Sequence, residues 1–140
     1  MNVRDVMTTG VKMVRPEATI FQIAKLMRDE NIGAVPVVEA DKLVGMVTDR
    51  DIVIRGLASY PDLKHTTARS IMSDRLLYCF EDQRVEEVLD NMGDLQIRRM
   101  PVLDRDKRLV GMVSLGDLSI SSHPDRIGYS LSMISQHTHH

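Results

Sequence analysis

Two stretches of this sequence carry apolar residues at the spacing of one helix face. In both, apolar positions follow the i, i+3, i+4, i+7 pattern, which predicts an amphipathic α-helix. The residues are Ile20, Ile23, Ala24 and Met27 in the first stretch, and Val85, Val88, Leu89 and Met92 in the second. Each stretch is followed by two short apolar runs with a polar connection, the pattern of a β-hairpin. The chain is thus predicted to contain a helix and a hairpin twice.

This recurrence is an internal duplication. At an offset of 65 residues, Met7 falls on Met72 and Pro36 falls on Pro101. After one inserted residue, Arg108, the offset becomes 66, and residues 43–47 are then identical to residues 109–113. An identical run in register with scattered matches on both sides indicates two copies of one unit.

Each copy is predicted to have the order β-α-β-β-α. Besides the helix and hairpin, each copy is predicted to contain a short helical turn (3–7 and 68–72) and a brief extended stretch (11–14 and 76–79). A second helix is predicted after the hairpin, over about 49–57 in the first copy and 115–121 in the second. Thr19 precedes the first long helix with Gln22 three residues on, which predicts a capping box. We therefore expect an α/β (α+β) fold of two tandem repeats packed with pseudo-two-fold symmetry.

The same pattern divides the chain into segments, namely repeat 1 over 1–57, a linker over 58–67, repeat 2 over 68–122 and a C-terminal tail over 123–140. The linker contains Pro61 and has no apolar period. In the tail, Ile127, Leu131 and Ile134 have helical spacing, which predicts a short helix that packs on the body or on a partner.

Composition and charge restrict the class of protein. The chain has 140 residues, 43% of them apolar and 27% charged, which fits a globular protein. Its net charge of −2 excludes a generally basic nucleic-acid binder. No apolar run is long enough to cross a bilayer, and the first residues lack the apolar core of a signal peptide. With a single cysteine, Cys79, these features lead us to expect a cytoplasmic protein.

In each copy the identical run leads from a strand into a helix start that carries polar side chains. Thr48 is followed three residues later by Asp51, and Ser114 is followed by Asp117. One interpretation is a capping box with no further role. The other is ligand binding, because backbone amides and a carboxylate at a helix start suit the hydroxyls and phosphate of a nucleotide. The residues alone leave both interpretations open.

Two adjacent arginines, Arg98 and Arg99, stand before a strand of the second copy, where the first copy has the small residues of positions 33–34. The planar guanidinium group suits phosphate, so one interpretation is a phosphate contact. The alternative is a solvated loop, or an ion pair with Asp94 or Asp104.

The sequence lacks patterns typical of catalysis. It has no P-loop lysine motif, no dinucleotide-binding glycine pattern and no nucleophile grouped with a histidine, so we expect no enzyme. Cys79 falls on the apolar Val14 of the first copy and is interpreted as a buried core thiol. His137, His139 and His140 could bind a metal, but we interpret them as a terminal tail and expect no metal site.

The duplicated unit resembles the cystathionine-β-synthase (CBS) domain. The matching segments are 3–7, 33–38 and 45–51 in the first copy, and 71–72, 98–103 and 111–117 in the second. The tandem pair is similar to a Bateman module, and the resemblance covers about residues 1–122. It implies a stand-alone, non-enzymatic sensor that binds AMP, ADP, ATP or S-adenosylmethionine in a cleft between the repeats and needs no other cofactor.

The resemblance also implies which residues would form the ligand sites, each drawn from both copies. The first cleft would contain Thr48, Arg50, Asp51, Leu76, Leu77, Tyr78, Arg98, Arg99 and Pro101. The second would contain Thr9, Val11, Lys12, Met13, Gly33, Ala34, Pro36, Ser114, Gly116 and Asp117. We expect the phosphorylated ligand in the first cleft, because three arginines could converge there. The second would be empty or would take a less charged ligand such as S-adenosylmethionine.

The implied mechanism is a population shift, in which ligand favours one arrangement of repeats or protomers and an unidentified partner protein responds to it. The resemblance further implies a homodimer, and we expect no membrane partner. An alternative from another class is a dimerisation or protein-interaction module without a small ligand, in which Thr48 and Asp51 are only caps. Nucleic-acid binding through Arg98 and Arg99 is a third alternative, which the net charge disfavours.

Overall fold

The computed structural model describes residues 1–60, 62–73, 75–119 and 134. Within this part of the chain the helices are α1 (Ile20–Glu30), α2 (Asp49–Asp51), α3 (Ala68–Ile71), α4 (Val85–Leu95) and α5 (Leu115–Ser119). The strands are β1 (Ala34–Glu39), β2 (Lys42–Thr48), β3 (Cys79–Phe80), β4 (Arg99–Leu103) and β5 (Leu109–Ser114). A 3-10 turn at Val3–Asp5 precedes them, and a π-helical segment, Ile52–Leu57, continues α2. The predicted α+β fold with helix and hairpin used twice is confirmed.

The two long helices begin and end for local reasons. The Thr19 hydroxyl accepts a hydrogen bond from the Gln22 amide at 3.2 Å, and Gln22 Oε1 accepts one from the Thr19 amide at 3.0 Å. This reciprocal pair is the predicted capping box at the start of α1. Helix α1 ends at Asn31 and α4 at Gln96, which have φ angles of 53° and 58°. A residue in this left-handed conformation cannot continue an α-helix.

Both predicted hairpins are present and share one design. Strands β1 and β2 are antiparallel, and so are β4 and β5, each with a register shift near the middle. Ala40 and Asp41 connect β1 to β2 with φ angles of 51° and 64°. Two consecutive positive φ angles are the geometry of a type I′ turn, whose twist matches that of the paired strands.

The residues Lys12–Leu76 form one compact unit, here called unit 2. It contains α1–α3 and the β1–β2 hairpin, and Val14 and Ser73 each add a backbone bridge to an outer edge of that hairpin. Its buried core comprises Ile20, Ile23, Met27, Val35, Val37, Val47, Ala68 and Ile71. Three of the four apolar positions predicted for the first amphipathic helix therefore lie in this core, against the alternating buried positions of the strands, whereas Ala24 is exposed.

The other compact unit, here called unit 1, consists of Met1–Val11 together with Leu77–His140. Its sheet has the order β3-β4-β5, with β3 parallel to β4, and Thr8 bridges to Met112 of β5. The buried residues are Val3, Cys79, Val85, Val88, Leu89, Met92, Met100, Val102, Val113, Leu115, Leu118 and Ile134. Ile134 is the only residue of the predicted tail within the described residues, and the predicted tail helix otherwise lies outside them.

The opening segments of the two repeats are exchanged between the compact units. Met7 belongs to the first repeat, yet it packs against Gly111 of the second, 2.8 Å from the position that a β-carbon on Gly111 would take. Met72 belongs to the second repeat and packs against Gly45 in the same way, at 2.7 Å. Each hairpin therefore receives its methionine from the other repeat, and the boundaries of the compact units differ from the sequence repeat.

Several predicted elements differ in detail from those observed. The predicted extended stretch over 11–14 contributes only the bridge of Val14, and the second stretch forms its strand at Cys79–Phe80. The single helix expected after Thr48 is one α-helical turn followed by the π-helical Ile52–Leu57. Gly56 lies in this segment with Ile20 Cδ1 only 3.0 Å from its β-carbon position, so packing on α1 accompanies the wider helix. No helix among the described residues is long and apolar enough to cross a membrane.

Candidate functional site

The turn that follows β2 places two predicted site residues in one reciprocal pair of hydrogen bonds. The Thr48 hydroxyl accepts from the Asp51 amide at 3.1 Å, and Asp51 Oδ2 accepts from the Thr48 amide at 2.9 Å. Asp51 Oδ1 lies 3.9 Å from Arg55 Nε. Thr48 and Asp51 thus form a capping box, and one carboxylate oxygen lies outside the cap.

The turn that follows β5 repeats this geometry in unit 1. The Ser114 hydroxyl accepts from the Asp117 amide at 3.1 Å, and Asp117 Oδ2 accepts from the Ser114 amide at 3.0 Å. Among the described residues, Asp117 Oδ1 has no hydrogen-bond partner. A carboxylate has about four lone-pair positions, so a side chain held through one oxygen can still accept hydrogen bonds at the other.

Each turn lies directly beside the residues at the start of the first strand of its hairpin. In unit 2, Ala34 is the cross-strand partner of Thr48, and the Asp49 amide donates to the Gly33 carbonyl at 2.9 Å. In unit 1, Arg99 is likewise the cross-strand partner of Ser114, and the Leu115 amide donates to the Arg98 carbonyl at 3.0 Å.

Residues directly opposite each other on paired strands point to the same face of the sheet. The structure therefore groups predicted site residues on the sheet face opposite the core, namely Ala34, Pro36 and Thr48 in unit 2, and Arg99, Pro101 and Ser114 in unit 1. The valines of the same strands, such as Val35 and Val47, form the core face.

Three arginines lie near the turns. Arg50, Arg98 and Arg99 are exposed, and their side chains form no ion pair or hydrogen bond with any described residue. The alternative pairing of Arg98 or Arg99 with Asp94 or Asp104 is therefore not formed within the described part of the chain. Lys12, the basic residue predicted for the second cleft, lies 3.9 Å from Glu30 within unit 2.

The remaining predicted residues are distributed over both units. Lys12, Met13 and Leu76 are exposed in unit 2, and Thr9 and Gly116 are exposed in unit 1. Val11, Leu77 and Tyr78 are half-buried in unit 1, where the Tyr78 ring meets Phe80 edge to face at 5.6 Å. The grouping of these residues into two clefts stays a prediction.

Asp49 is a residue of the turn that the sequence analysis did not single out. Its Oδ1 accepts from the Arg50 amide at 2.8 Å, and its Oδ2 lies 3.2 Å from the position that a β-carbon on Gly33 would occupy. The carboxylate therefore stands where a side chain at position 33 would begin. The available sequence signal was the repeat alignment, in which Asp49 corresponds to Leu115 while Gly33 corresponds to Arg98.

Cys79 is a core thiol, as predicted. It is 2% exposed in the core of unit 1, and burial raises the pKa of its thiol to about 12. A thiol that stays protonated at neutral pH is a poor nucleophile, so its environment gives no support to a catalytic role.

Two surface hollows lie on unit 2. A hollow of about 400 Å³ is lined by Val14, Arg15, Glu17, Ala18 and Gln22, and one of about 320 Å³ by Met13, Val14, Arg15, Val38, Ala40 and Asp41. In the described ranges, no three His, Cys, Asp or Glu residues come together as a group that could hold a metal ion. His137, His139 and His140 lie outside those ranges.

Comparison with known proteins decides the family. The sequence profile of the CBS domain matches residues 3–57 and 68–121, which together cover most of the chain. The chain belongs to the CBS-domain family. It is similar to the CBS domain-containing protein YhcV of Bacillus subtilis, with 40% identity over 140 residues that cover 99% of each protein.

Two solved structures support the assignment to CBS domain pairs. The crystal structure of Hypoxic Response Protein I, with two coordinated zinc ions, matches at a TM-score of 0.79 and 37% identity, covering 88% of this chain and all of that one. The CBS domain pair of protein MJ0100, in complex with 5′-methylthioadenosine and S-adenosyl-L-methionine, matches at a TM-score of 0.74 and 30% identity, covering 86% and 94%.

Proposed function

We propose that this CBS domain pair is a non-enzymatic regulatory module that binds an adenosine-containing ligand, either a nucleotide or S-adenosylmethionine. The observation that carries the proposal is the pair of matched turns after β2 and β5. In each, a cap holds an aspartate through Oδ2 and leaves Oδ1 outside the cap. Asp51 Oδ1 lies 3.9 Å from Arg55 Nε, and Asp117 Oδ1 has no hydrogen-bond partner within the described part of the chain. Capping and ligand contact are therefore compatible roles for Asp51 and Asp117, because the cap orients the carboxylate before a ribose hydroxyl donates to it.

Similarity to a CBS domain pair with bound ligands supports adenosine compounds as the ligand class. The 30% identical CBS domain pair of MJ0100 is complexed with 5′-methylthioadenosine and S-adenosyl-L-methionine, which share an adenosyl group. In the present chain a carboxylate at the turn would hold the ribose of such a ligand, and an unpaired guanidinium would hold a phosphate where one is present. Ligand binding would then shift the population of module conformations, to which a partner protein responds.

Isothermal titration with adenosine, AMP, ADP, ATP and S-adenosylmethionine tests the proposal. We expect at least one to bind, and we expect Asp51→Asn or Asp117→Asn to weaken it about ten- to hundredfold, because a hydrogen bond to a charged group contributes about 1.5–3 kcal/mol. Asparagine keeps an acceptor for the cap, so the fold is retained.

Asp5→Asn is the matched control for these variants. Asp5 Oδ2 accepts from the Asn2 amide at 2.9 Å in a cap of the same kind, but Asp5 belongs to neither predicted cleft. This variant should bind like the wild type. Failure of all five compounds to bind at millimolar concentration would refute the adenosine proposal.

One observation favours the alternative of a dimerisation module without a small ligand. Large apolar side chains are exposed on α1 and on the residues after α2, namely Phe21 (43%), Val53 (56%), Ile54 (51%), Leu57 (51%) and Tyr60 (43%). A second copy of this chain would cover such a surface. Light scattering tests for the dimer, which Ile54→Glu should convert to monomer. A dimer that binds none of the five compounds would favour this alternative, whereas ligand binding would contradict it.

A further inference from the structure

The two turns differ in net charge when each is counted together with the strand start beside it in the same unit. Around the unit 2 turn, Gly33, Ala34 and Thr48 are uncharged, while residues 49–51 contribute two carboxylates and one guanidinium, a net charge of −1. At the six matched positions of unit 1, two arginines and one carboxylate give a net charge of +1. Backbone hydrogen bonds join each strand start to its turn, so the residues that carry these charges are close together in each unit.

The difference in net charge arises mainly at two neighbouring positions, which hold Asp49 and Gly33 in unit 2 but Leu115 and Arg98 in unit 1. In unit 2 the carboxylate of Asp49 occupies the space beside Gly33, with Oδ2 3.2 Å from the β-carbon position. In unit 1 the corresponding positions hold Leu115 and Arg98, so the carboxylate is absent and a guanidinium is present. Asp49 has no cationic partner among the described residues, and its charge therefore remains available to a ligand.

Arg99 belongs to the turn of its own unit by strand register. It lies opposite Ser114, and the β-carbons of such a pair are about 5 Å apart on one face of the sheet. Its exposed side chain, which pairs with no described residue, is long enough to reach a ligand held at Ser114 and Asp117. This grouping differs from the one that the family resemblance implies, which joins Arg98 and Arg99 to Thr48 and Asp51.

We infer that the turns select ligands of different charge. The unit 1 turn, through Arg98 and Arg99, takes an adenosine compound with a 5′-phosphate, and the unit 2 turn, through Asp49, rejects phosphate and takes an adenosyl compound that is neutral or cationic. This inference rests on the proposed function and assigns the specificity of its two turns. An anion near Asp49 is repelled, whereas the sulfonium and amino groups of S-adenosylmethionine are attracted.

Titration of charge-neutralising variants with AMP, adenosine and S-adenosylmethionine tests the inference. Arg99→Gln should weaken AMP binding about three- to tenfold and leave adenosine within twofold, as expected for one exposed charge contact. Asp49→Asn should strengthen AMP binding at the unit 2 turn by a similar factor and weaken S-adenosylmethionine. Both effects should decrease in 0.5 M salt, because exposed charges are screened. Asp5→Asn, which is remote from both turns in sequence, is the control for a nonspecific charge effect.

Combination with the turn variants identifies the turn that Arg99 serves. The effect of Arg99→Gln on AMP should disappear in an Asp117→Asn background and persist in an Asp51→Asn background. The reverse result, or equal losses of AMP and adenosine, would overturn this inference and leave the proposed function standing. If wild-type protein binds none of the three compounds, the proposed function fails and the inference fails with it.

Discussion

Replacing Gly45 by alanine should destabilise unit 2 by a calculable amount. A β-carbon on Gly45 would lie 2.7 Å from Met72 Sδ and 2.9 Å from the Ser73 carbonyl oxygen. The methionine can move, since its side chain is flexible. The carbonyl cannot move freely, because Ser73 and Met46 exchange backbone hydrogen bonds of 2.9 and 3.2 Å.

The cost follows from these contacts. Overpacking of this kind costs about 1–3 kcal/mol. Separation of the Ser73 and Met46 backbones weakens a hydrogen bond that contributes about 1 kcal/mol. Alanine also lowers the conformational entropy of the unfolded chain, which offsets about 0.4–1 kcal/mol of this loss in stability. The net loss is therefore about 2 kcal/mol, equivalent to a melting temperature lower by about 4–8 °C for a chain of this size.

Equilibrium unfolding in urea measures this change. The expected midpoint shift is about 1 M for an m-value near 2 kcal/mol per M. Gly111→Ala should behave alike in unit 1, where the β-carbon position is 2.8 Å from both Met7 Sδ and the Thr8 carbonyl oxygen. Gly116→Ala is the matched control. Its β-carbon would meet nothing closer than Ser114 Oγ at 3.5 Å, so alanine should stabilise α5 by up to about 1 kcal/mol.

A free energy of unfolding for Gly45→Ala within about 0.5 kcal/mol of wild type would refute the argument. It would mean that the segment carrying Met72 does not press on the hairpin. The same result for Gly111→Ala would remove the evidence that the opening segments of the repeats are docked where the structure places them.

Three further predictions concern individual side chains. Thr19→Ala should cost about 1 kcal/mol in urea unfolding by removing the α1 cap, whereas Thr19→Ser should cost less than half of that. Because burial raises the pKa of Cys79 to about 12, its contribution to stability is present below the ordinary thiol pKa and decreases as the pH rises above it, so Cys79→Val should flatten the alkaline loss of stability measured by urea unfolding. Hydrogen bonds from Arg105 lower the pKa of Asp82, so this pair stabilises the fold above the ordinary carboxyl pKa and ceases to do so as the pH falls through the lowered value. Wild type and Asp82→Asn should therefore differ in stability at neutral pH and converge as the pH falls below the ordinary carboxyl range; a difference that stays constant with pH would contradict the assignment.

The candidate site was partly accessible from sequence. Thr48 with Asp51, and Ser114 with Asp117, were identified because a cap has a fixed spacing of three residues. Asp49 was missed, since its significance depends on the space left by Gly33, which lies across the strand pair. A contact between residues so far apart in the chain has no local signature, and only the register of β1 on β2 brings the two together.

The sequence by itself determined the local elements and their duplication. Helix α1, its cap at Thr19 and the two hairpins follow from periodicity, spacing and turn chemistry, which act between residues near one another in the chain. Tertiary structure alone decided which opening segment docks on which hairpin. Met7 and Met72 occupy equivalent positions of two similar repeats, so either could pack on Gly45 or on Gly111 as far as local preference is concerned. The observed exchange depends on the packing of whole segments into the cores of the two units, and that free energy is not encoded in any short stretch of sequence.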